Sequence, residues 1–264
     1  MVWIAGGAAG NLTLIDEDGG VHPPGTNLWS GQHNAEYFGN DQYFLFDNQY
    51  GQMTPSRLLV FDVDERAGTA TVTYAYTFFD SWPHGYSEVF GDNDRLPTGN
   101  MLTCWWPNAL SPAKSLQYDV QLLEVTHAAE IAWKLNVFGR HECLADSDDL
   151  CDRNIQVGWK VYSLEKLYAR PPLYNGTLLN GTLAFTTHTQ FKTSAKTTGA
   201  WRLALAGDTL AAAPFDWEAH FRATTVTTRV DADVPDGATL GLYVTNEFET
   251  EAYLPIVVGQ AWTP

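Results

Sequence analysis

A histidine beside a glutamine is the part of this sequence best suited to carry out chemistry. The segment 29–37 reads WSGQHNAEY, and it is followed by the apolar run 43–46 and then by Asp47-Asn48. This spacing predicts that His33 lies in the short connection before a strand, which ends in a turn-forming pair. Such connections hold reactive side chains at the rim of a β scaffold, where a neutral imidazole can act as a nucleophile. The competing interpretation is a histidine that is only hydrogen-bonded to neighbouring backbone.

Arg57 is a candidate anion-binding residue. It follows Ser56 at the predicted start of another strand. If it faces the centre of the domain, its guanidinium could hold a sulfate through its N–H donors. A surface ion pair explains an arginine at a strand start equally well. Both interpretations stay open at the level of sequence.

Three cysteines predict one disulfide and one buried thiol. Cys143 and Cys151 flank the short loop LADSDDL, which a disulfide between them would close. Cys104 lies between Thr103 and Trp105 in an apolar stretch. We expect it to be a small buried hydrophobic residue.

Neither a metal site nor a nucleotide site is predicted. An acidic cluster lacks the spacing and the glycine of an EF-hand loop, which favours a solvated loop over Ca²⁺ binding; it consists of Asp146, Asp148, Asp149 and Asp152. The triplet His141-Glu142-Cys143 has no second ligand pair at a spacing suited to zinc. No glycine-rich phosphate loop occurs, which argues against a group donor of the nucleotide type. We therefore predict that the chain uses no cofactor.

Glycosylation sequons point to the secretory pathway. N-x-T triplets occur at Asn11, Asn175 and Asn180. Together with the predicted disulfide they favour a secreted protein. The segment 1–7 has neither a basic region nor a sustained apolar core, so it does not resemble a signal peptide. We expect this chain to be part of a longer secreted product.

The composition predicts an all-β globular protein. Of the 264 residues, 45% are hydrophobic and 17% charged, and the chain is rich in aromatic residues, Gly and Pro, a mixture typical of short strands and tight turns. The net charge of −16 argues against nucleic acid or an anionic membrane as a partner, because both attract clustered Lys and Arg. No apolar stretch approaches the ~20 residues that span a bilayer.

Two similar hairpins recur in the first two thirds of the chain. The first is predicted over 57–64 and 69–76 with a turn at 65–68, and the second over 121–125 and 130–137. Further strands are predicted at 87–90 and 101–106, on either side of the turn-rich segment 91–100. Hairpins that recur at this interval are typical of β-propeller blades, of which residues 1–170 would hold about three to four.

The pattern changes after Pro171-Pro172. Five alternating strands with regular turns are predicted at 183–188, 201–205, 224–230, 239–245 and 253–258. This spacing favours an immunoglobulin-like β-sandwich without a catalytic constellation. Trp201 and Trp217 are expected in its core.

An ordered set of short motifs resembles a known family. The motifs are VWIxGG at 2–7, GQHxA at 31–35, FDN at 46–48, SR at 56–57 with FDxD at 61–64, RLPxGN at 95–100 and YxR at 168–170. With these motifs residues 1–172 resemble the arylsulfotransferase family, whose catalytic domain is a six-bladed β-propeller. The resemblance covers the C-terminal half of that domain. Asn34 departs from the acidic or small residue that is common after the histidine of the motif.

The resemblance implies a reaction and a nucleophile. In the family, the histidine of the Gln-His motif takes a sulfuryl group from an aryl sulfate and passes it to a phenol, and His33 occupies this position. Gln32 and Arg57 are the candidate substrate-binding residues. The family supplies further His and Arg residues for the transferring group from a region that precedes the matched segment.

The sequence thus predicts a partial six-bladed-type β-propeller over 1–172, followed by a small β-sandwich over 173–264. The predicted function is sulfuryl transfer from an aryl sulfate to a phenol through a sulfohistidine. Whether this part of the domain is incomplete and inactive alone stays open at the level of sequence. The alternative is a non-catalytic secreted protein that binds a glycan or a protein partner. An open propeller edge also predicts self-association through unpaired strand groups.

Overall fold

A computed structural model describes residues 2–52, 54–78, 85–106, 120–137, 161–193, 196–231 and 234–261. Within these ranges the chain forms strands, turns and loops without a helix, so the predicted all-β class is confirmed. Accordingly, this part of the chain has no helix that could cross a membrane. The strands lie in four sheets, none of which closes on itself.

The chain divides into two compact units. Unit 1 comprises Met1–Arg95 and Asn100–Leu164, and unit 2 comprises Leu96–Gly99 and Glu165–Pro264. The predicted domain boundary after Pro172 stays a prediction. Cys143, Cys151 and the acidic cluster at 146–152 lie outside the described residues.

The first sheet of unit 1 has six strands in the order β2-β1-β6-β5-β4-β3. Its strands are β1 (Thr13–Ile15), β2 (Val21–His22), β3 (His33–Gly39), β4 (Gln42–Asp47), β5 (Arg57–Asp64) and β6 (Thr69–Thr77). Strands β3 to β6 form an antiparallel meander, whereas β1 pairs with β6 in parallel. One core cluster covers this sheet, and in it Trp29 stacks on Phe61 with ring centroids 5.2 Å apart.

The second sheet of unit 1 is a four-stranded antiparallel meander. Its strands are β7 (Asp92–Arg95), β8 (Met101–Trp105), β9 (Val120–Val125) and β10 (Ile131–Val137), in the order β10-β9-β8-β7. Cys104 of β8 is fully buried as predicted, and burial raises the pKa of its thiol.

Both predicted hairpins are confirmed, because local turn chemistry and alternation determine them. In the first, the Asp64 carboxylate accepts the backbone N–H groups of Arg66 and Ala67 at 2.9 Å, which fixes the turn between β5 and β6. The second joins β9 to β10 through a turn in which Ala129 has a φ of 60°.

The strand predicted at 87–90 is wrong, and β7 lies instead inside the segment 91–100. Asp92, Asn93 and Asp94 have the composition of a turn, yet at most 4% of each is exposed. The Asp92 carboxylate meets its distant hydrogen-bond partners, Asn34 and Leu164, only in the folded chain, so composition alone could not identify this strand.

Unit 2 consists of two sheets around one core. One contains β11 (Leu173–Leu179), β12 (Thr182–Thr187) and β15 (Thr224–Arg229) in the order β11-β12-β15. The other contains β13 (Thr198–Leu205), β14 (Asp208–Asp216), β16 (Thr239–Thr245) and β17 (Glu251–Val257) in the order β14-β13-β16-β17. A single cluster joins residues of both sheets, and Trp201 and Trp217 belong to it as predicted.

Two strands of unit 2 were not predicted, β11 and β14. The segment 203–213 is interrupted at Gly207 and belongs to the hairpin β13–β14, with a turn at Ala206 and Gly207. Pro214 lies in β14, which is an edge strand among the described residues, and edge strands tolerate proline because some of their N–H positions face away from the sheet.

Candidate active site

His33 is the first residue of β3, where it pairs with Phe46 of β4, rather than lying in the connection before β4. Its side chain is partly exposed. The preceding turn needs glycine at position 31, where φ is +67° and a Cβ would lie 2.5 Å from the Cβ of Tyr50. The backbone conformation of this turn therefore determines where β3 begins and where the imidazole of His33 lies.

The Nδ1 atom of His33 contacts two acceptors. It lies 2.7 Å from Oδ1 of Asn48 and 3.0 Å from the backbone oxygen of Gly31. Asn48 is fully buried, and its Nδ2 donates to the backbone oxygens of Ser87 at 2.9 Å and Phe90 at 2.7 Å. Because both amide hydrogens are used in this way, Oδ1 must face the imidazole as an acceptor.

This arrangement determines the tautomer of a neutral His33. Two acceptors at Nδ1 require a proton on that nitrogen, which leaves the lone pair on Nε2. The imidazole is therefore oriented as a nucleophile or base through Nε2. If positive charge develops on the ring, the same two acceptors stabilise the Nδ1–H.

A buried hydrogen-bond network holds Asn48 in place. The hydroxyl of Ser56 donates to the backbone oxygen of Asn48 at 3.1 Å and accepts the N–H of Ser87 at 2.9 Å. The hydroxyl of Ser87 contacts the backbone oxygens of Val89 at 2.9 Å and Trp106 at 3.0 Å. Ser56 and Ser87 are both fully buried, so the support of His33 is shielded from water.

Asn34 connects the histidine segment to the second sheet. It has a φ of 46°, and its Nδ2 donates to Oδ1 of Asp92, the first residue of β7, and to the backbone oxygen of Asn93 at 3.2 Å. Asp92 also accepts the N–H groups of Asn93 at 2.9 Å and Leu164 at 2.8 Å. The starts of β3 and β7 are thereby joined beside His33.

An aromatic side chain lies next to the imidazole. The ring centroids of His33 and Tyr162 are 6.2 Å apart with an interplanar angle of 81°, and Tyr162 in turn meets Phe90 edge-on at 5.5 Å. Tyr162 remains 59% exposed, so it can also contact a molecule from solution.

Arg57 is engaged by carboxylates and by backbone. Its Nε and Nη2 lie 3.1 and 2.8 Å from Oδ2 of the fully buried Asp47, Nη1 lies 2.9 Å from Oε1 of Glu17, and Nη2 donates to the backbone oxygen of Leu28 at 2.7 Å. Asp47 also accepts the N–H groups of Ser30 and Gln49 at 2.9 and 3.1 Å. The ion pair therefore supports the strand end that carries Asn48.

Gln32 is exposed and lines a small cavity of about 270 Å³, together with Asn27, Trp29, Ser30 and the glycines at 6, 7 and 31.

The three sequon asparagines are exposed as well. The side chain of Asn11 accepts the N–H of Ile4 at 2.8 Å, whereas Asn175 and Asn180 have φ values of 55° and 50°.

Sequence reasoning missed Asn48, Asp92 and Tyr162. The pair Asp47-Asn48 predicts only a turn, although a polar residue directly after an apolar strand that follows the histidine segment is a usable signal. Asp92 lies in the segment interpreted as turns. Tyr162 follows a stretch without a motif, so nothing in the sequence indicated it.

No group of three or more His, Cys, Asp or Glu side chains suited to a metal ion occurs in the described ranges. In comparisons with known proteins, no family model matches the chain, and no curated protein matches it either. A function must therefore be inferred from the residues and from their geometry.

Proposed function

We propose that this protein is arylsulfotransferase-like and transfers a sulfuryl group from an aryl sulfate to a phenol through His33. The observation that carries the proposal is the pairing of His33 Nδ1 with Asn48 Oδ1 at 2.7 Å. This contact leaves Nε2 of the neutral imidazole unprotonated, as a nucleophile requires. The ordered motifs that resemble the family support the same role for this histidine.

The reaction takes place in two steps. In the first, the lone pair of Nε2 attacks sulfur, the bond from sulfur to the aryl oxygen breaks, and the phenolate leaves with that electron pair. The ring then carries the sulfuryl group on Nε2 and a positive charge that the acceptors at Nδ1 stabilise. In the second step the acceptor phenol loses its proton to solvent, its oxygen attacks sulfur, and the sulfur–nitrogen bond breaks.

Substrate contacts are proposed for residues near His33. Gln32 is the neighbour of the nucleophile and is exposed, so its amide can donate to a sulfate oxygen. Arg57 would act as a sulfate contact only if substrate displaced part of its interaction with Asp47 or Glu17. Its hydrogen bonds favour a positioning role through Asp47.

We propose that the two meanders are consecutive propeller blades. They span 33–77 and 92–137, each about 45 residues, which is the length of a four-stranded blade. Strands β3 and β7 contact each other, and so do β4 and β7, as adjacent blades would. A site between the first strands of two blades agrees with the family resemblance.

For unit 2 we propose an immunoglobulin-like sandwich. Seven strands in sheets of three and four around a shared core support this assignment. Strand β14 pairs with β13 rather than with β15, so the fourth strand differs from its place in a constant-type domain. Exposed sequon asparagines support a secreted protein.

A single-turnover assay tests the proposal. The protein is incubated with a chromogenic aryl sulfate, with and without a phenol, and the release of the leaving group is recorded. We expect wild-type protein to gain the mass of one sulfuryl group on His33 and to lose it when phenol is added. His33→Ala should do neither, and His127→Ala, an exposed histidine in the β9–β10 turn, should behave like wild type.

Two results would contradict the proposal. One is equal release of the leaving group by wild type and His33→Ala. The other is a wild-type protein that neither releases the leaving group nor takes up a sulfuryl group.

A further inference from the structure

The outward face of the four-stranded sheet in unit 2 carries a row of three large side chains. Arg202 of β13 pairs with Tyr243 of β16, which pairs with Tyr253 of β17. The residues that alternate with them are in the core, namely Trp201, Leu203, Leu242, Val244 and Ala252. The row therefore points away from the core. We call Arg202, Tyr243 and Tyr253, with Thr245 and Glu251 beside them, the tyrosine face.

The rings of this face are held in place before any ligand arrives. The Cζ of Arg202 lies 3.9 Å from the centroid of the Tyr243 ring, and the two tyrosine centroids are 5.1 Å apart. At Gly241 a Cβ would lie 2.7 Å from Cε2 of Tyr243, so the ring lies down on the backbone of a residue without a side chain. Tyr253 remains 52% exposed.

Small residues surround the row. Apart from Thr245 and Glu251, the partly or fully exposed positions next to the three side chains have short or absent side chains, and they are Ala200, Ala212, Pro214, Gly241 and Pro255. A long molecule can therefore lie across the strands and reach the exposed ring without being blocked. Such a flat shelf differs from the enclosed pocket in which a protein partner usually buries an anchoring side chain.

The tyrosine face is electrically neutral in a strongly acidic chain. Arg202 Nη2 and Glu251 Oε2 are 3.3 Å apart, and the Thr245 hydroxyl donates to the same oxygen at 3.4 Å. Three cross-strand rows run through Ala200, Arg202 and Ala204, and no other charged residue occurs in them. The chain as a whole carries a net charge of −16. Local neutrality favours an uncharged ligand that offers hydroxyl groups to the ion pair.

We infer that the tyrosine face binds a neutral polysaccharide. One sugar ring would place its C–H face on Tyr253, and neighbouring hydroxyls would hydrogen-bond to Arg202, Glu251 and Thr245. Tyrosine suits this contact, because it combines an apolar ring with a polar tip. The inference does not depend on the chemistry of His33.

Affinity electrophoresis tests the inference with the full chain. Native gels contain hydroxyethylcellulose, laminarin, xylan or galactomannan, and retardation is measured against a gel without polysaccharide. We expect at least one of these polymers to retard wild type, Tyr253→Ala to weaken that binding roughly tenfold, and Tyr253→Phe to retain it. Phe248→Ala removes an exposed aromatic ring elsewhere in unit 2 and should bind like wild type.

Circular dichroism establishes that each variant is folded. Migration of wild type unchanged by all four polymers would overturn the inference, and so would a folded Tyr253→Ala variant that binds as wild type does. Tyr253-dependent capture of a proline-rich peptide in place of any polysaccharide would also overturn it, because the face would then be a protein-binding site.

Discussion

A buried amide, that of Asn48, is the closer of the two acceptors that hold the tautomer of His33. Asn48 has no freedom to rotate, because turning the amide would direct its NH₂ group at Nδ1 and its oxygen at two backbone carbonyls. The structure therefore assigns Asn48 as a positioning residue for the proposed reaction. Its effect on the tautomer can be measured without turnover.

We expect Asn48→Leu to reduce the rate of sulfuryl transfer roughly a hundredfold, because Nδ1 of the imidazole loses the shorter of its two acceptor contacts and keeps only the Gly31 backbone oxygen. Nitrogen chemical shifts of His33 in NMR should report a protonated Nδ1 in wild type and a mixed population in the variant. Asn40→Ala removes an exposed amide in the β3–β4 turn and should change neither quantity. An unchanged tautomer in a folded Asn48→Leu variant would disprove the positioning role.

Arg57 is the second residue whose role its contacts define. Its side chain is 17% exposed and its partner Asp47 is fully buried, so removing the cation leaves a buried carboxylate with neutral donors only. We expect Arg57→Ala to lower the free energy of unfolding by about 2–4 kcal/mol, measured by urea denaturation. A variant of unchanged stability with a raised KM for aryl sulfate would instead identify Arg57 as a sulfate contact.

At the scale of elements, alternation and turn chemistry made the hairpins of unit 1 predictable. Polar composition concealed β7, and the absence of strong alternation concealed β14. Unit 2 also removes two histidines from water in ways that sequence patterns do not reveal: the buried His188 directly follows β12, and the partly buried His220 lies in a turn before β15. The Nε2 atom of His188 lies 2.7 Å from the Tyr174 hydroxyl on β11. Burial lowers the pKa of His188, and it lowers the pKa of His220 to about 4.

Unit 2 should therefore become less stable in acid. The ordinary pKa of histidine is 6.5, and both folded-state values are lower, so the unfolded chain binds protons that the folded chain does not. The free energy of unfolding of unit 2 is retained at pH values above the ordinary pKa of histidine, and it falls as the pH drops below that pKa. Hydrogen exchange of β16 amides should be faster at about pH 5 than at about pH 7.5 after correction for intrinsic rates.

A pair of variants isolates the contribution of His188. His188→Gln should reduce the pH dependence of exchange in unit 2, because a neutral amide replaces the titrating ring. His127→Gln lies in unit 1 and should leave that dependence unchanged. Equal pH dependence in wild type and His188→Gln would show that His188 does not contribute.

At the scale of the whole molecule, the open sheets expose strand edges. Among the described residues strand β10 pairs with β9 alone, and Ile131, Trp133 and Leu135 on it are 41–44% exposed. Lys134 is the one charged residue of this strand, and a lysine on an edge strand opposes pairing with a second copy. The net charge of −16 opposes association as well. Self-association therefore requires that apolar contact between copies of β10 outweighs this repulsion.

We expect the chain to self-associate in a concentration-dependent manner through β10, with more association at high salt, because salt screens the acidic charge. Multi-angle light scattering should detect it, and Trp133→Lys should shift the equilibrium toward monomer. Tyr50→Lys adds the same charge at another exposed aromatic position and should have a smaller effect. A wild-type monomer at all concentrations and salt levels would contradict this expectation.

The sequence alone determined the all-β class, the two hairpins of unit 1, the buried Cys104 and the core tryptophans of unit 2. These features depend on alternation, turn residues and hydrophobic size, which act over a few neighbouring positions. It also singled out His33, because this histidine shortly precedes an apolar strand that ends in a turn-forming pair. What it could not supply was the environment of that ring.

Only the tertiary structure decided which atoms meet at His33. Asn48 lies 15 residues away in sequence, and it is held by Ser87 and Phe90, which lie about 40 residues further on. The buried polar strand β7 and the tyrosine face arise in the same way, from registers between strands. Hydrogen bonds of this kind join groups that no local pattern connects, because their partners are brought together only when the chain folds.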